Sequence, residues 1–534
     1  MVDYESFLGS PSATHWKKLG LVRRSGILAP LFSIRSRRSA GVGEYPDLEL
    51  LADWCRACGM SLIQLLPLND VGTRFCPYDS ESSFALEPLH LALDDLAEIP
   101  TKKYAPQIKE LRLRYSASSP LFDTNVKAEK LKLLRRIFAE RPVNETAEFR
   151  AFKEEQVYWL PAYALFKVLK EQNQERAWET WPQALKTRQA QALRAVAEVH
   201  EDDLHFHEWL QWQLYRQFKA SSARIRRKKV RLLGDLPFLV SRDSADVWAH
   251  PEYFKLNLSA GAPPDLYFAD GQEWGMPPYH WSALAAGDFD YIKERLRYAS
   301  NFYDLYRLDH FVGLFRVWAF PREEAPDRKQ RAFFDPPESE TWEKQARSIL
   351  NVMLRATSML PCAEDLGTVP DAARALLEEY ALPGMDVQRW MRDWKGTGDY
   401  LPVSEYRRNS IVTLSTHDMT SFLGWWRTEA TPEDKLLFRR FTGLPEKDPD
   451  PAELCGRALE KAQESPTVFS VHSFQDWMTF CGVYTEKDAA LRINEPGFMK
   501  ETNWRLRIPL FLEDMLELPC NKLMADANRK ASRQ

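Results

Sequence analysis

Three short carboxylate-bearing segments stand at the ends of three apolar runs: Arg307-Leu308-Asp309-His310, Ala363-Glu364-Asp365-Leu366 and Ser415-Thr416-His417-Asp418. The runs before them, 305–308, 359–363 and 411–414, read as buried strands. Three parallel strands ending in three acids would aim those acids at one point. Carboxylates crowd in this way where chemistry or a metal offsets their repulsion. Arg307 lies two residues before Asp309 and so shares its side of a strand, where a guanidinium favours a charged carboxylate. His417, beside Asp418, is placed to donate a hydrogen bond to a substrate hydroxyl.

Two carboxyls in different environments are what retaining glycoside chemistry requires. One is ionised and attacks the anomeric carbon; the other is protonated and gives its proton to the leaving oxygen, from about 5–5.5 Å away. A third acid can bind sugar hydroxyls and favour the distorted transition state. Any single polar residue at a strand end can instead cap the next helix. Capping does not account for three together, each flanked by further polar groups. A metal centre is the rival use of clustered acids. The Asp, Glu and His spacing here matches neither His-Glu-x-x-His nor a calcium loop, so no metal is expected.

The elements that must position these acids alternate in a βα pattern. Strand-like runs begin at 26–31 and 61–66, with a helix between them over 48–57 whose Leu50, Leu51 and Trp54 share a face. Further runs fall at 231–237, 305–308, 359–363, 385–388, 411–414 and 468–471. That makes eight, the number that closes a (β/α)8 TIM barrel, whose active site lies at the C-terminal strand ends. The fold class is therefore α/β. An open doubly wound sheet is the alternative, but no Gly-rich turn follows the first strand, so a dinucleotide site is unsupported. Residues at about 95–225 carry helical periodicity and few strand signals. One apolar stripe runs through Val157, Leu160, Tyr163, Leu165 and Leu169, and another through Leu210, Leu214 and Phe218. This segment reads as a helical insertion within a single catalytic domain spanning 1–534, with covering loops at about 255–285. The tail, 525–534, reads as frayed.

Bulk composition narrows the partners. Apolar residues make up 44%, enough for a large core, and 72 basic residues nearly balance 76 acidic ones. That balance gives no electrostatic case for nucleic acid or an anionic membrane. The one dense basic run, 224–231, reads as a solvated helix end leading into the next strand. Seven scattered cysteines, an odd count, point to a reducing compartment rather than a disulfide framework. The first residues lack the pattern of a signal peptide, and no apolar run approaches the ~18 residues a membrane span needs. The expected location is the cytoplasm. Cys55-Arg56-Ala57-Cys58 has the spacing of a redox motif, but it closes a helix instead of opening one, so it reads as a packed pair.

The chain resembles the 4-α-glucanotransferases, also called amylomaltases or disproportionating enzymes, in their minimal bacterial form. The resemblance runs from about Gly26 to Arg507. Leu65-Leu66-Pro67-Leu68 with Cys76-Pro77-Tyr78 is similar to a stretch of that family in which Tyr78 would border the acceptor subsites. Gly234-Asp235-Leu236-Pro237, with 244–248, resembles the third-strand motif, whose Asp contacts the sugar at the cleavage point. Pro263-Pro264-Asp265 and Gly271-Gln272-Glu273-Trp274-Gly275 resemble the loop that covers the glucan, implying Gln272 and Trp274 as binding residues. The resemblance implies Asp309 as nucleophile, Glu364 as acid/base and Asp418 as transition-state stabiliser, with Arg307 and His417 holding substrate hydroxyls and charge. Gln475-Asp476 and Asn503-Trp504-Arg505 match late motifs with structural and binding roles, Asn503 among the binding residues.

The resemblance implies transfer of α-1,4-glucan segments to a glucan or glucose acceptor, without a cofactor. A retaining hydrolase on the same scaffold and a glucan-binding protein without catalysis are the alternatives. Nothing in the sequence bears on oligomeric state. The chain departs from the family at Glu87-Pro88, at Gly275-Met276-Pro277, at Met419-Thr420-Ser421 and at Val312. These departures concern acceptor preference, not the three acids.

Overall fold

The apolar runs form eight short parallel strands in a computed structural model that describes residues 3–116, 119–140, 145–264, 271–323, 331–444 and 449–533. They are β1 (Arg24–Leu28), β2 (Leu62–Gln64), β3 (Arg231–Leu236), β4 (Leu305–Leu308), β5 (Leu360–Ala363), β6 (Gly384–Val387), β7 (Ser410–Thr413) and β8 (Phe469–Ser473). Neighbours in sequence pair in parallel from β1 to β5 and from β6 to β8, and β8 pairs back onto β1. Between β5 and β6 the Ala363 N–H donates to Pro383 O at 2.7 Å, and the Met385 N–H to Asp365 Oδ1 at 2.7 Å. The result is a (β/α)8 TIM barrel with helical insertions. Every strand residue except Arg231 is buried. Burial on both faces is why parallel strands read as continuous apolar runs. On β3 a Cβ at Gly234 would lie 2.6 Å from the Tyr303 ring, so glycine is required one residue before Asp235.

Between β2 and β3 the chain is mainly helical. Its longest helix, Glu201–Arg227, opens on Glu201, Asp202 and Asp203 and closes on Arg224, Arg226 and Arg227, complementing the helix dipole at both ends. Phe206, Trp209, Leu210, Leu214 and Phe218 are buried along it. The basic run ends this helix and leads into β3, with Arg224 on Glu49, Arg226 on Asp304 and Lys228 on Asp53. The helix Leu160–Gln172 buries Leu160, Tyr163 and Leu169, whereas Val157 precedes it and is exposed.

A buried charge network joins this insertion to the loop after β2. Lys127 reaches Glu87 at 2.8 Å and Asp70 at 3.2 Å, and Lys167 reaches Asp70 at 3.1 Å and Glu81 at 2.6 Å. Glu87 also accepts from the Leu89 and Val71 N–H groups. Its carboxylate is thus spent inside the protein, away from the cleft. Glu87 is thus part of the scaffold of the loop after β2 and not of the cleft wall.

The segment expected as covering loops contains two strands, Leu258–Ala262 and Gln272–Glu273. They form an antiparallel sheet with Val317–Pro321 and Phe333–Asp335. Asp265 lies outside the described residues. The cysteine pattern also needs correction. Cys481, just past the helix Phe474–Phe480, forms a disulfide with Cys520, the first residue of the helix Cys520–Lys530. Their Cα atoms stand 5.5 Å apart, a spacing that allows bridging. Cys55 and Cys58 are buried thiols, pushed up by that burial and so held away from the reactive thiolate. No helix among the described residues is long and apolar enough to cross a membrane.

Residues 525–533 of the tail do not fray. Cys520–Lys530 is helical, and beyond it Arg533 is 5% exposed. Its guanidinium donates to Gln463 O, Arg24 O, Ser465 O and Thr467 Oγ1, where β1 and β8 begin. Arg533→Ala is expected to lower unfolding free energy by about 2–4 kcal/mol in urea titrations. An unchanged midpoint would show that the tail carries no part of the fold.

Candidate active site

The register of β3 and β4 sets Asp235 directly opposite Arg307. The Arg307 guanidinium, buried at 6% exposure, donates Nη1 to Asp235 Oδ1 and Oδ2 at 3.0 and 3.1 Å and to Asp309 Oδ1 at 2.8 Å. Its Nη2 stands 4.0 Å from Glu364 Oε2. One cation therefore serves three carboxyls from three strand ends. Burial works against its charge, but Asp235, Tyr78, Asp309 and Glu364 hold its pKa well above the usual arginine value.

Glu364 follows β5 directly. It accepts from the Leu366 N–H at 2.8 Å and from the His310 N–H at 3.0 Å. His310 reaches this position with a left-handed backbone, φ 46°. Burial lifts the Glu364 carboxyl from the ordinary 4.5 to about 7; Arg307 pulls it down and Asp309 pushes it up. At this value the group is half protonated at neutral pH. Asp418 is set oppositely. Burial opposes its charge, but His417 at 3.2 Å and the Asn494 Nδ2 donor at 2.7 Å hold the carboxyl at about 2. Asp309, Glu364 and Asp418 all open into one cleft of about 1840 Å³ at the C-terminal mouth of the barrel.

The remaining expected residues fall around this cluster in different ways. Tyr78 donates its hydroxyl to Asp235 Oδ2 at 2.7 Å and stacks its ring on His417, centroids 5.3 Å apart and planes 11° apart. It thus joins the Asp235–Arg307 side of the site to the His417–Asp418 side. Gln272 and Trp274 line the cleft from the antiparallel sheet, and Trp274 sets its ring edge-on to His310 at 4.9 Å. Asn503 also lines the cleft, but its amide is spent on Glu495 N, Glu495 O and Phe498 O, fixing the 495–503 loop. Met276, Met419 and Thr420 line the cleft. Sequence reading missed Asn494 and the role of His310. Asn494 lies in no apolar run, so no strand-end signal pointed to it. His310 was visible in its motif, but its contact is made by the backbone. Among the described residues, no group of three or more His, Cys, Asp or Glu side chains is arranged to hold a metal ion.

Comparison with known proteins gives one family. A family model described as 4-alpha-glucanotransferase matches residues 29–513. A 4-alpha-glucanotransferase of Chlamydia pneumoniae is 38% identical over 511 residues, covering 95% of each chain. One from Thermus thermophilus is 31% identical over 457 residues, covering 83% of this chain and 87% of the relative. The fold matches an amylomaltase from Streptococcus agalactiae solved in complex with acarbose, with a TM-score of 0.81 at 23% identity, over 96% of this chain and 99% of that one.

The raised Glu364 carboxyl predicts a stability signature. A folded-state pKa above the unfolded value contributes stability that is present below about 4.5 and lost as pH rises through about 7. Glu364→Gln removes that loss. The stability of the variant relative to the parent is expected to rise by roughly 3 kcal/mol between about pH 4 and pH 8, read from denaturant titrations. A flat difference would mean that Glu364 titrates normally.

Proposed function

The chain belongs to the 4-alpha-glucanotransferase family, and from that premise we propose that it rebuilds α-1,4-glucosidic bonds by retaining double displacement, with Asp309, Glu364 and Asp418 as its chemical groups. An Asp309 oxygen attacks C1 of the donor glucan as the bond from C1 to the leaving oxygen breaks. Glu364 gives its proton to that oxygen, which departs as the 4-hydroxyl of the released fragment. A β-glucosyl ester on Asp309 remains. Glu364, now ionised, takes the proton from the 4-hydroxyl of an incoming glucan or glucose. The acceptor oxygen attacks C1, the ester bond breaks, and the α-link is restored after two inversions. Asp418 and His417 hold sugar hydroxyls as positive charge develops on the ring, and Asp235 and Tyr78 keep Arg307 aligned with Asp309.

The observation that carries this reading is the setting of two carboxyls around one guanidinium. Asp309 receives the guanidinium at 2.8 Å, while Glu364, 4.0 Å from the same cation, is lifted to about 7. A carboxyl raised by burial suits the part of the acid, which leaves Asp309 as the attacking group. A value near 7 also suits a group that must give a proton in one half-reaction and take one in the next.

Incubation with maltotriose is expected to yield glucose together with chains longer than the substrate. Shorter products alone would mean hydrolysis, and unchanged maltotriose would mean a binding protein. Asp309→Asn is expected to lower turnover by about ten-thousand-fold or more while leaving the thermal midpoint nearly unchanged. A variant that keeps most of its activity would remove Asp309 as nucleophile.

A further inference from the structure

Two buried charges stand behind the Asp418 loop and take no part in the chemistry described so far. Asp476, in the first turn of the helix Phe474–Phe480 after β8, is fully buried. Its Oδ1 accepts from the Phe422 N–H at 2.8 Å and from Ser415 Oγ at 3.3 Å. Those two residues bracket the segment that carries His417 and Asp418. Arg389, in the turn after β6, is 4% exposed and donates Nη2 to Thr420 O at 2.9 Å, within the same segment. Thr420 Oγ1 in turn donates to Glu429 at 2.9 Å.

A neutral amide at 476 could also accept at Oδ1, so these hydrogen bonds alone do not call for a charge there. The charge has its use across the segment. Among the described residues, Asp476 Oδ2 and Arg389 Nε and Nη1 have no hydrogen-bond partner. Burial lifts the Asp476 carboxyl to about 6, and Arg389 acts against that rise. A buried carboxylate and guanidinium so placed attract through a low-dielectric interior. Each is tied to the intervening segment by its own hydrogen bonds, Asp476 at Ser415 and Phe422 and Arg389 at Thr420, so the segment is held between the ends of β6 and β8.

We propose that Asp476 and Arg389 are positioning residues that act through Asp418, holding the 415–422 segment so that His417 and Asp418 meet the sugar ring. This rests on Asp418 being the acid that supports the transition state. The test measures kcat and KM on maltotriose for Asp476→Asn, Asp418→Asn and the double variant. Asp476→Asn is expected to lower kcat by about 10- to 100-fold with KM changed little. In the Asp418→Asn background the same substitution is expected to lower kcat by less than about threefold, because coupled residues are non-additive. An equal loss in both backgrounds, or no loss in the parent, overturns the proposal. If Asp418→Asn itself keeps full kcat, the reading of Asp418 fails instead, which is a separate outcome. Should Asp476→Asn not fold, Asp476→Asn with Arg389→Met removes both buried charges, and the same pair of outcomes is read from it, with circular dichroism confirming the fold.

Discussion

The structure turns on the Arg307 guanidinium. Asp235, Asp309 and Glu364 arrive from three different strands, and three carboxylates that close would repel at several kcal/mol per pair in a partly buried site. One guanidinium hydrogen-bonds two of them and stands 4.0 Å from the third. Glu364 is the most distant of the three from the guanidinium, and burial lifts its carboxyl to about 7 against the pull of Arg307. Burial is thus the main cause that raises Glu364, with the Asp309 charge adding to it. The register that places Asp235 opposite Arg307 and the glycine that lets β3 lie against Tyr303 both serve this one contact.

The barrel was legible because parallel strands covered on both faces leave unbroken apolar runs, and all eight were visible. The small antiparallel sheet was not. Its strands are short, and Phe333–Asp335 is only half-buried, so neither length nor alternation marks it. The three acids were legible from strand-end position, but the donors that tune them were not. The Glu364 partners are backbone groups, and Asn494 lies 76 residues beyond Asp418. The place of Glu87 was not legible for the same reason. Its partner Lys127 is 40 residues away in the insertion, and no local pattern announces a buried ion pair. Arg533 hides likewise, since a polar tail reads as frayed until its carbonyl partners are known.

That ion network gives the insertion a part in the site. Lys127 donates to Gly72 O at 2.6 Å as well as to Asp70 and Glu87, and Tyr163 donates to Asp70 at 2.7 Å. These bonds fix the start and end of the loop that carries Tyr78. Tyr78 then hydrogen-bonds Asp235 and stacks on His417. A helical segment with no residue among the acids thereby sets a side chain that touches both halves of the acid cluster. Buried ion pairs contribute little net stability, so their value here is in holding one loop geometry.

The acids alone do not separate transfer from hydrolysis, since water and a glucan hydroxyl meet the same ester. The difference must come from the walls. The exposed aromatics Trp390, Trp394 and Phe498 all line the cleft, and Met499 beside them is fully exposed. Apolar surface left open in this way is covered when a sugar ring lies on it, and the water there is displaced. On the proposed mechanism, a glucan lying on these faces would bring its 4-hydroxyl into the site with less competing water around the ester. The burial that lifts Glu364 to about 7 would deepen when a donor glucan fills the cleft, keeping the proton available for the leaving oxygen.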